Sequence, residues 1–168
     1  MKYVVYAALV LLVVPFQVVL ADRISIAGIH PDLALVAVCL IGFYIGEVEA
    51  VAVGVAIGFM LDLFSGGAHW GNLFLKPLTG LLAGRARRNL VNLTPKVALL
   101  LLFGLSIVSG LIMFLLKSLT GAGADFFAAA RGIIFPQACF DAVLGVALLL
   151  LIQRWTSARA PLAATSYE

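Results

Sequence analysis

The chain has 168 residues, of which 64% are hydrophobic and only 11% are charged, with a net charge of +3. A soluble domain carries about a quarter charged residues and needs them to cover its surface. This composition argues against a soluble enzyme, a disordered chain and a nucleic-acid-binding domain. At ~20 apolar residues per membrane helix, five or six spans fit, so the chain reads as a small polytopic membrane protein with almost no soluble mass.

The first predicted helix covers residues 3–21 and contains Pro15. Lys2 and the run Val19-Leu20-Ala21 loosely resemble a signal peptide, but the apolar run is long and more membrane follows, so it reads as a retained helix. A polar stretch over 22–32 leaves the membrane and ends in Pro31 and Asp32, which suit a helix start. The second helix spans 31–46, Glu47 and Glu49 interrupt the hydrophobicity, and the third spans 50–64. Turn chemistry follows at Ser65 and Gly66, and the fourth helix spans 70–84 with Lys76 and Pro77 inside. These middle segments reach only ~22–25 Å, short for a ~30 Å hydrocarbon core. They either borrow loop residues, lie in a locally thinned bilayer, or form a re-entrant pair. The fifth helix, 97–119, is the clearest, and the sixth covers 129–153 with Pro136 and Asp141. All six belong to one domain, 1–168, of all-α class.

Orientation follows from the basic residues. With both termini cytoplasmic, the inner face holds Lys2, Arg85, Arg87, Arg88, Lys96, Arg154 and Arg159, and the outer face Arg23, Lys117 and Arg131. That asymmetry obeys the positive-inside rule, and the inverted topology violates it. The dense basic loop formed by Arg85, Arg87, Arg88 and Lys96 sets orientation, or contacts anionic lipid heads or an acidic partner.

Small residues at Gly42, Gly46, Ala50, Gly54 and Gly58 recur every fourth position, and Gly80 and Gly84 repeat the spacing. Such faces let membrane helices approach closely, either inside the bundle or against a partner helix. Asp62, Lys76 and Asp141 are intramembrane charges, which are costly and pair with one another or line a polar path. The leading expectation is an Asp62–Lys76 ion pair across the turn, with Asp141 joining Lys76 or Arg131. The sequence around His30 and His69 shows no catalytic or metal-site pattern, and Trp70 fits an interfacial anchor. Cys39 and Cys139 sit in apolar runs and read as packing residues. No catalytic, cofactor or metal-binding pattern is visible.

The order Pro31-Asp32-Leu33, Gly54-xxx-Gly58-xxx-Asp62, Leu63-Phe64-Ser65-Gly66, Gly71 and Gly80-xxx-Gly84 before a basic loop resembles the rod-shape-determining protein MreD family. The resemblance covers nearly the whole chain, and residues 31–88 carry its information. It implies a non-enzymatic subunit of the bacterial cell-wall elongation complex in the inner membrane, in contact with membrane lipids. Its implied partners are the MreC scaffold and, indirectly, a SEDS glycosyltransferase and transpeptidase. That family is similar in plan to the substrate-binding subunits of energy-coupling-factor transporters. The alternative is therefore a vitamin-type small-molecule binder, against which the few hydrogen-bonding side chains of the external loops argue.

Overall fold

The computed structural model describes residues 2–20, 29–64, 70–89, 94–119 and 125–163. All its elements are helices. Helix α1, Lys2–Pro15, continues into a π-helical turn, Phe16–Leu20. Then come α2, Leu33–Tyr44; α3, Glu47–Phe64; α4, Gly71–Asn89; and α5, Pro95–Leu119. Helix α6 opens as one turn, Phe126–Ala129, widens into a π-helical turn, Ala130–Ile134, and continues as Phe135–Ala163. The widened turn lies just before Pro136, whose missing N–H frees the carbonyl of Gly132. Local π geometry is one way for an apolar helix to absorb that loss.

Several boundaries differ from the sequence reading. Helix α3 begins at Glu47, because the two acidic residues lie in its first turn and favour the positive helix end. Helix α4 runs on through Arg85, Arg87 and Arg88, which therefore sit on a helix and not in a loop. Lys96 is exposed in the first turn of α5. Helix α6 is longer at both ends than expected. The turn expected at Ser65 and Gly66, and His69, lie outside the described residues.

Helix α2 is the centre of the bundle and touches all five others. Nine of its twelve residues are buried, as a helix apolar on every side must be. One core cluster joins Leu35, Cys39 and Phe43 to Leu102 of α5 and Ala142 and Leu149 of α6. The other joins Ala34, Val38 and Ile41 to Val14 of α1 and to Val53 and Ile57 of α3. The outer faces remain apolar: Leu100, Leu119, Phe127, Leu151 and Trp155 are all exposed. Two helices, Pro95–Leu119 and Phe126–Trp155, are long and apolar enough to cross a membrane.

The glycines explain the closest packing. A Cβ on Gly54 would meet Pro77 Cα at 2.8 Å, and one on Gly58 would meet the Asn72 carbonyl group and Leu73 Cα. One on Gly80 would meet the Ala50 carbonyl at 2.8 Å, and one on Gly84 would meet Glu47 Cα at 2.5 Å. One on Gly42 would meet Gly84 N at 2.9 Å. These five positions bring the backbones of α2, α3 and α4 together, so within this chain they face its own helices. Gly46 differs: its φ of +149° makes the turn between α2 and α3, a conformation a side chain disfavours. Gly104 has nothing within 4 Å of such a Cβ. Gly58→Ala is expected to destabilise the detergent-purified protein by about 3 kcal/mol through overpacking. Gly104→Ala, inside α5 with open space around its Cβ, should instead stabilise by about 0.5–1 kcal/mol. Thermal unfolding of the pair checks this contrast.

Candidate functional site

Helix α2 is twelve residues and so only ~18 Å long, whereas α5 has twenty-five and reaches ~37 Å. Its N-terminus therefore lies part-way down the bundle, beside Ser106 and Asp141 near the middles of α5 and α6. The first N–H groups of any helix lack intrahelical acceptors. Here side chains supply them. Asp32 Oδ1 accepts from the Leu35 N–H at 2.8 Å. The Leu33 N–H donates to Gln17 Oε1 at 2.9 Å, and Gln17 Nε2 donates to the Pro31 carbonyl at 3.1 Å. The Asp32 N–H donates to Asp141 Oδ1 at 2.6 Å. Pro31, which is fully buried, has no N–H to satisfy.

Two carboxylates thus converge on one helix end. Lys76 of α4, 2% exposed, forms an ion pair with Asp32 Oδ2. Asp141, fully buried, accepts a second hydrogen bond from the Ser106 hydroxyl at 2.5 Å. The knot joins α1, α2, α4, α5 and α6.

This corrects two sequence expectations. Lys76 pairs with Asp32, not with Asp62. Asp62 instead caps α4: Oδ1 accepts from Asn72 N at 3.2 Å and Nδ2 at 2.9 Å, and Oδ2 accepts from Leu73 N at 2.8 Å. Asp62, two residues from the end of α3, is thus aimed at the N-terminus of α4, where a carboxylate is favourable. Asp141 engages the Asp32 backbone and Ser106, while Arg131 is exposed on the first part of α6. Sequence reasoning missed Gln17 and Ser106 altogether. A lone amide one turn from Leu20 and a serine inside an otherwise apolar run were the available signals.

The opposite end of α2 is held by the basic cluster. Arg87 donates to the Tyr44 carbonyl at 2.6 Å, where α2 ends. Arg88 reaches Glu47 at 3.3 Å and Arg85 reaches it at 3.8 Å, so α4 clasps the start of α3. Trp70, φ 46°, precedes α4 and stacks on Phe59 at a centroid distance of 6.3 Å. Cys39 is buried in the core, whereas Cys139 is exposed on α6 and does not pack inside as expected. Among the described residues no three His, Cys, Asp or Glu side chains gather as a metal site requires.

Above the knot lies a cavity of about 370 Å³. Its floor is Asp32, Lys76, Ser106 and Gln137, with Asn72 and Ser109 on the walls. Leu75, Met113, Phe114, Ile133 and Ile134 form an apolar belt, and Lys117 lines it one turn beyond Met113 and Phe114. A second hollow, apolar and about 620 Å³, lies on the outer surface between α1 and α3. Val48, Ala52, Ala56 and Met60 of α3 line it at intervals of four, opposite Tyr6, Ala7 and Val10 of α1, with Glu49 the one charged residue of its described lining. No protein-family model, curated protein or solved structure matches the chain.

The two capping carboxylate contacts should be separable. Asp62→Ala is expected to cost about 1–2 kcal/mol by uncapping α4. Ser106→Ala should cost about 1.5–3 kcal/mol, because it removes a hydrogen bond to a buried carboxylate. Denaturation midpoints of both variants in the same detergent give the comparison.

Proposed function

We propose that this chain is a six-span membrane protein of the bacterial inner membrane, both termini cytoplasmic, acting as an MreD-type subunit of cell-wall elongation. In this reading it is not an enzyme: it binds an MreC-type scaffold and, through it, peptidoglycan synthases. The observation that carries the reading is where the family-like residues lie. Asp32, Gly54, Gly58, Asp62, Gly80 and Gly84 belong to one unit, the α3–α4 hairpin packed on α2. The exposed apolar faces of the bundle support its placement in lipid, and the clustering of Arg85, Arg87 and Arg88 supports the orientation.

The glycine ladder is occupied within the chain, so the partner needs another face. The groove between α1 and α3 offers one, with Ala52 and Ala56 as a small-xxx-small pair open to lipid. A single transmembrane helix of the scaffold fits such a groove. Ala52→Trp should reduce co-purification of the scaffold at least tenfold while leaving the protein's own level and helical content unchanged. Undiminished co-purification would count against this surface.

One observation favours a second reading, the small-molecule-binding subunit of a transporter. The polar groups that the external loops lack are supplied by helices, around the cavity over Asp32 and Lys76. A bound small molecule found by native mass spectrometry of the purified protein would favour it over the scaffold reading.

A further inference from the structure

The geometry points to the cavity above the α2 N-terminus as a binding site for a zwitterion with an apolar body, an ammonium group and an oxyanion lying close together. The inference rests on the reading that the cavity takes a small molecule, and it adds the chemical class. At about 370 Å³ the space lies within the range of small-molecule pockets.

The floor dictates the head group. Lys76 and Asp32 both line the cavity and are already paired with each other. An ammonium has three donors, and Asp32 takes one of those on Lys76. A carboxylate has about four acceptor sites. Those of Asp32 meet the Leu35 N–H and Lys76 among the described residues. An ion pair thus presents a donor and an acceptor side by side to one ligand. A ligand with a single charge would add that charge beside the almost fully buried Lys76, at a desolvation cost that pairing does not recover. A zwitterion adds no net charge. Its oxyanion accepts from Lys76 and its ammonium donates to Asp32, closing a ring of four alternating charges. Asp141 does not compete, since its two oxygens are turned to the Asp32 N–H and the Ser106 hydroxyl.

The walls dictate the body. Between the floor and Lys117 the lining is Leu75, Met113, Phe114, Ile133 and Ile134. An aromatic or aliphatic side chain is covered there, and Met113 adapts its shape to such a group. An apolar amino acid and the head of an aminophospholipid both carry this chemistry.

The test is thermal unfolding of the full chain in a neutral detergent. The probes are L-phenylalanine and lysophosphatidylethanolamine. The controls are 3-phenylpropionate, phenethylamine, 3-phenylpropanamide and lysophosphatidylglycerol, each of which lacks one or both charges. A ligand in large excess over its Kd should raise Tm by about 3 °C or more. The inference expects that shift with one zwitterion and not with its controls, and the responding arm tells a soluble source from a lipid. Ser109→Phe fills the cavity from α5 and should abolish the shift. If that variant does not fold, Ala129→Phe closes the space from α6. No shift with either zwitterion, or an undiminished shift in a folded filled variant, would overturn the inference. Controls that match the zwitterion would also overturn it, while leaving the cavity a small-molecule site.

Discussion

The structure depends on one constraint: a short helix, apolar on every side, must begin inside the bundle. Helix α2 buries most of its residues and touches all the others. Its first N–H groups therefore face protein and not water, and each needs an acceptor. Asp32, Asp141 and Gln17 provide them. Two carboxylates at one helix end need a counter-charge, which Lys76 brings from α4. The buried charges follow from the burial of that helix end.

The same economy shapes α3 and α4. Glycines at 54, 58, 80 and 84 remove the side chains that would separate the two helices, and Pro77 fits against Gly54. That close approach carries Lys76 to Asp32 and sets Asp62 against the start of α4. At the other end it lets Arg85 and Arg88 reach Glu47. Having used its glycines internally, the hairpin leaves the Ala52 and Ala56 side of α3 open at the surface hollow against α1. The central helix and the hairpin thus give the molecule an internal seam, an outer groove and a cavity with a polar floor and apolar walls.

Much of this was legible in the sequence. Apolar runs, Pro31-Asp32 and the glycine spacing locate the helices, because hydrophobicity and turn chemistry are local signals, but α4 and α6 run on to Asn89 and Ala163, past the ends of their apolar runs. The charges at Asp62, Lys76 and Asp141, all buried, stood out for the same reason. Their partners did not. Asp62 and Lys76 are close in sequence and suggested a pair, but a capping carboxylate is aimed at backbone N–H groups that sequence does not display. Lys76 and Asp32 are 44 positions apart and Asp32 and Asp141 are 109, and only the packing of α2 joins them. Arg85, Arg87 and Arg88 read as a loop because charge usually marks an apolar run's end. Here α4 extends past its apolar part to grip Tyr44 and Glu47.

The central claim is that the Asp32–Lys76 pair holds the α2 terminus in place, and a double-mutant cycle in stability tests it most directly. Asp32→Asn keeps a capping side chain and removes the charge, and Lys76→Met keeps the length and removes the ammonium. Each alone leaves a buried unpaired charge and should cost about 3–5 kcal/mol. Together they should cost clearly less than the two added, with a coupling of about 2 kcal/mol or more. Strict additivity, or single variants as stable as the parent, would contradict the account.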